Sequence, residues 1–126
     1  MGYIRRARVI FLSGLHPAPA NLAAHYAQKL GGEWLEAQAA VLPDVVGDVP
    51  VLNDTMLAWA DLLVTLDAAA YAAKPVLRPG MQHRHYPIEP IPPASDKAAW
   101  QALAAMVRHR VEGMIGGMRL MHKAAS

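Results

Sequence analysis

The sequence holds no cysteine. Disulfides, thiolate metal centres and thiol nucleophiles are therefore excluded. Aromatic residues make up 6% of the chain, with a single Phe, so packing falls to Leu, Val, Met and many Ala. Charge is also scarce. Only 17% of residues are charged, 12 basic against 10 acidic, for a formal net charge of +2. That balance is too mild to imply nucleic acid, and no nucleic-acid partner is expected. A weakly charged surface leaves apolar area exposed, which points to a protein partner or to self-association. No apolar run approaches the length of a membrane span, so no transmembrane segment is expected. Arg5, Arg6 and Arg8 precede only a short apolar run, Val9 to Leu12, before turn residues begin. That is no signal peptide, and the expectation is a cytoplasmic protein. Phosphate-loop, dinucleotide and zinc-finger spacings and internal repeats are all missing, and no cofactor is implied.

What is present is a chain of 126 residues, 54% apolar, enough for one domain with one core over residues 1–126. Its most informative stretch is Arg8 to Gly31. Val9, Ile10, Phe11 and Leu12 form a short apolar run of strand formers. Ser13 to Ala20 follows, with Gly14, Pro17 and Pro19, and reads as a proline-stiffened loop. From Asn21 the period changes. Leu22, Tyr26 and Leu30 recur every four residues beside Ala23 and Ala27, and Gly31-Gly32 ends the helix. A buried strand thus feeds a loop that opens a helix, where α/β proteins carry their binding sites.

Further along, Glu33 to Val41 alternates polar and apolar residues and reads as an edge strand. Leu42 to Pro50 holds two prolines and a glycine, too many breakers for a helix. Asn53-Asp54 caps a short helix to Ala60, and Asp61 to Leu66 reads as a central strand. Ala68 to Ala73 is a small helix or turn. Pro75 is placed to open a short strand, and Pro79-Gly80 is a turn. The segment from Met81 to Pro90 gathers His83, Arg84, His85, Tyr86 and Glu89 and is the second informative stretch, and Pro90 to Ala94 is a stiff connector. From Asp96 to about Met114, Trp100, Leu103, Val107, Val111 and Met114 keep helical spacing. Gly113, Gly116 and Gly117 should loosen the end, leaving 113–126 as a loosely structured apolar tail.

Two stretches resemble the low-molecular-weight protein tyrosine phosphatases and the related thioredoxin-coupled arsenate reductases. In that family an apolar strand leads into Cys-x5-Arg-Ser and then a small-faced helix ending in Leu-Gly. Val9 to Leu12, Leu22-Ala23 and Leu30-Gly31 match without a gap. The second match is Trp59 to Asp67, which is similar to the family's ADLVVTL segment. A looser third match sets Glu89-Pro90 near the family's general-acid Asp-Pro, with Tyr86 or His85 near its aromatic residue. The resemblance implies a three-layer α/β domain, with a four-stranded parallel sheet in the order 2-1-3-4 and helices on both faces. It runs from Arg8 to about Met114, shortened after the second strand.

The family's chemistry does not carry over. Its nucleophilic Cys falls on Ser13, its anion-binding Arg on Pro19, and the residue after it on Ala20. Prolines remove amide donors from the loop, and no Arg or Lys stands between Arg8 and Lys29. A serine needs a base or metal to become a nucleophile. The expectation is therefore a pseudoenzyme, without classical phosphatase or arsenate reductase activity. Ser13, Pro19 and Glu89 mark its degenerate positions, and it would serve as a binding or regulatory module or complex subunit. The alternative is an enzyme with a repurposed pocket at the carboxyl edge of the sheet, drawing on His16, Asp67, Arg84 and Glu89. His83 and His85, two apart on a strand, face one way and would be metal ligands in that reading.

Overall fold

The computed structural model describes residues 6–88 and 91–125, the side chains of 118–125 excepted. Four strands, β1 (Ala7–Ser13), β2 (Leu35–Val41), β3 (Leu62–Thr65) and β4 (Gln82–His85), form one sheet in the order β2-β1-β3-β4. All three pairings are parallel. The helices are α1 (Pro17–Gly31), α2 (Asp54–Trp59), α3 (Ala68–Ala73) and α4 (Lys97–Ala125). Strand order and layering agree with the sequence expectation.

Strand alternation divides the core in two. Val9, Phe11, Leu62, Val64 and Leu66 pack with Ala20, Ala23 and Ala27 of α1 and Leu103, Val107 and Val111 of α4. Ile10, Leu12 and Leu63 pack on the other face with Met56 of α2, Ala60 and Ala70 of α3. The small alanine face of α1 lets that helix lie close to the sheet, a need the low aromatic content had implied. β1 is one of the two interior strands, and its Val9, Ile10 and Leu12 are wholly buried.

Residues 42–53 contain turns and one bridge, Val41 to Val51, but no helix. The bridge lies on the outer edge of β2, where Val41 N–H donates to the Pro50 carbonyl and Leu52 N–H to that of Val41. Nearer the start of β2, Gln28 of α1 bonds the same edge. Its Nε2 donates to Leu35 O and its Oε1 accepts from Ala37 N–H.

Three expectations are corrected. The stretch before Asn21 is not all loop, because α1 begins at Pro17 with a proline in its first positions. The first turn of a helix is where proline is tolerated, since its missing N–H would have had no partner there. No strand follows Pro75: Val76 is almost fully exposed and residues 74–78 lack ladder partners. Finally, the helical backbone of α4 continues past its expected end near Met114, through all three glycines to Ala125. Burial of Met114 and Ile115 in the main core outweighs the low helix propensity there.

Candidate functional site

The carboxyl ends of β1 and β3 lie side by side, so the loop after each meets the other. Asp67 is the N-cap of α3, and its Oδ1 accepts from Ala70 N–H at 2.7 Å. Its Oδ2 accepts from Gly14 N–H at 2.8 Å and Leu15 N–H at 3.2 Å, both in the loop after β1. The side chain is almost completely buried. Gly14 is needed for this approach. A Cβ on it would stand 2.6 Å from Ala70 N and 2.8 Å from Ala69 Cβ.

At the front of α1 the side chain of the preceding residue takes one further amide. Pro17 and Pro19 carry no N–H. His16 is the N-cap, and its Nδ1 accepts from Ala18 N–H at 3.1 Å. The His16 ring lies 5.5 Å from that of Trp100 on α4. Ser13 is fully buried, and its Oγ has no hydrogen-bond partner among the described residues. Successive amides aimed at one point ordinarily make an oxyanion cradle. Here the anion on those amides is the chain's own carboxylate. An external oxyanion would have to displace Asp67, and the chain has no cysteine to meet it.

A second polar group lies at the end of β3 and β4. Thr65 Oγ1 is 2.9 Å from His83 Nε2 and 2.7 Å from His85 Nδ1. One hydroxyl has one proton and two lone pairs, so it can donate to only one of three acceptors, a nitrogen of either ring or the Arg84 carbonyl 3.5 Å away. Tyr71 of α3 packs against both imidazoles, at 5.6 and 4.8 Å between centroids. The Lys74 ammonium sits 4.3 Å from the Tyr71 ring centroid, within cation–π range. Burial lowers the His83 pKa, and the positive charges of Lys74 and His85 lower it further.

The structure thus puts His83 and His85 on one face, as their spacing predicted. The repurposed-pocket residues are spread out. Strand alternation puts Arg84 on the opposite face from both histidines. No hydrogen bond, ion pair or ring contact joins His16, Asp67 and Arg84 among the described residues, and Glu89 lies outside those residues. No group of three or more His, Cys, Asp or Glu able to hold a metal occurs among the described residues. The sequence reading missed Thr65, Tyr71, Lys74 and Trp100. Thr65 had a usable signal, as the polar member of the apolar run Leu62 to Leu66. The others are brought in by tertiary packing.

No family model matches the sequence, and no curated protein matches it. Solved structures match its shape. A thioredoxin-dependent arsenate reductase of Corynebacterium glutamicum, Cg_ArsC1', aligns with a TM-score of 0.69 at 17% identity. That alignment covers 93% of this chain but 64% of the reductase, so this chain spans less than two thirds of that protein. An arsenate reductase in its reduced state aligns at TM-score 0.62 and 14% identity, over 89% of this chain and 98% of the other. One in the phosphate-binding state aligns at 0.61 and 16%, over 88% and 98%. Such identities carry the fold and not the activity. The chain has the phosphatase-like α/β fold found in arsenate reductases, and it has it without a cysteine.

Proposed function

We propose that this chain is a catalytically inactive, phosphatase-like protein that acts by binding, as a regulatory module or a subunit of a complex in the cytoplasm. The observation that carries this is the Asp67 carboxylate on the Gly14 and Leu15 amides. An oxyanion-processing loop needs free donors and a nucleophile. In this loop the Gly14 and Leu15 amides are engaged from within, and Ser13 stands where the resembled family has its Cys. The test is turnover of p-nitrophenyl phosphate, and of arsenate with thioredoxin, by the full chain. Neither should be consumed above the protein-free rate. Turnover that disappears in Ser13→Ala would overturn the reading.

A second reading is favoured by the Thr65, His83 and His85 group. Two imidazoles and a hydroxyl within hydrogen-bond reach are the parts of a repurposed enzyme pocket, with a metal held by His83 and His85. Thr65 is fully buried, which keeps its hydroxyl from acting as a nucleophile on a substrate in solution. Stoichiometric zinc or copper in purified protein, lost in the His83→Ala/His85→Ala double variant, would support this reading. Equal metal content in both proteins would end it.

A further inference from the structure

His16 and Trp100 open onto a shallow groove of about 500 Å³, lined also by Ala94, Lys97 and Gln101. It lies between the start of α1 and the first turn of α4, beside the closed loop at the carboxyl edge of the sheet. We propose that this groove binds a small aromatic carboxylate. The proposal rests on the non-catalytic binding reading above and supplies its ligand class.

The donors come from side chains. His16 Nδ1 accepts from Ala18 N–H, so in the neutral ring the proton sits on Nε2, and that N–H is a donor not used by the N-cap. The Lys97 ammonium and the Gln101 amide make no hydrogen bond or ion pair among the described residues. Among the described residues no Asp or Glu lines the groove. Asp96, next in sequence to Lys97, is turned away to cap α4, its Oδ1 accepting from Ala99 N–H at 3.0 Å.

The apolar part of the groove is aromatic and fixed. Trp100 Nε1–H donates to Pro93 O at 2.9 Å, which sets the orientation of the indole. His16 lies at 51° to it. A flat ring can stack on this wall while its charged group reaches the donors. One ammonium, one imidazole N–H and one amide suit a singly charged carboxylate. A phosphate dianion calls for an arginine fork or a nest of amides, and the groove offers neither.

The test follows the Trp100 indole N–H and the amides of residues 94–101 by NMR while benzoate or 2-naphthoate is added, with 2-naphthylmethanol as the uncharged control. The expected result is saturable shifts confined to the groove, sub-millimolar for naphthoate and at least about 5-fold weaker for the alcohol. Trp100→Ala should weaken naphthoate at least about 10-fold, and Lys97→Gln about 3-fold or more. His16→Asn keeps an N-cap residue and so preserves the fold. It should weaken binding about 3-fold without moving the thermal midpoint. Unsaturated shifts at 10 mM, equal binding of the alcohol, or unchanged affinity in all three variants overturns the site. Phosphate turnover in the same preparation would instead overturn the non-catalytic reading, so the two failures are distinguishable.

Discussion

The loop after β1 and the end of β4 lie at the same edge of one sheet, yet they handle polarity in opposite ways. In the first, a buried carboxylate accepts from three backbone amides, two in the loop after β1 and one in α3. In the second, two imidazoles share one hydroxyl, with a cation nearby. The first is a structural clasp between sequence positions 53 apart. The second holds His83, whose pKa is pushed down by burial and by the charges of Lys74 and His85. The difference teaches that edge position in an α/β sheet does not by itself make a reactive site. What matters is whether the polar groups there are already satisfied.

The sharpest way to break the comparison is at the clasp. Asp67→Ala leaves three amides without their acceptor and should destabilise the protein by about 3 kcal/mol in urea unfolding. Asp67→Asn should recover part of that loss. Gly14→Ala puts a methyl against the α3 backbone and should cost about 2 kcal/mol. At the other site Thr65→Val removes the shared hydroxyl while keeping its shape. A loss of about 1 kcal/mol is expected, smaller because water can reach the exposed His85.

Acid should separate the two sites further. The His83 pKa is lowered in the folded state, while unfolding returns it to its ordinary value near 6.5. The unfolded chain therefore binds the proton more readily. This group's contribution to stability is fully present above pH 6.5 and is lost as pH falls through that value toward the folded pKa. Urea midpoints should drop between pH 7.5 and 5.5, and His83→Gln should flatten that slope. The smallest effect is expected for the exposed Arg108–Glu112 pair on α4, 2.9 Å apart. Glu112→Ala should change stability by less than about 0.5 kcal/mol.

Much of the fold could be read along the chain because its signals are local. Val9 to Leu12 and Leu62 to Leu66 are dense runs of strand formers, and Asn53 and Asp96 are ordinary caps. His83 and His85 share a face because a strand repeats every two residues. The start of α1 was hidden because Pro17 and Pro19 read as breakers, although the first helical turn accepts them. The length of α4 was hidden because glycine propensity was weighed without the burial of Ile115. The clasp could not be read at all. Asp67 was visible as a pocket residue, but nothing local says that it reaches the amides of Gly14 and Leu15. That contact exists only once β1 and β3 are neighbours.

Gln28 bears on how the folded chain behaves at high concentration. Its amide gives β2 an acceptor and a donor where a further strand would have done so. The Val51 bridge does the same at the other end. A neighbouring molecule seeking to extend the sheet on that side finds both ends of the edge already paired. Strand-by-strand growth of aggregates is therefore blocked at β2. Replacing Gln28 with alanine reopens half of that edge without touching the core.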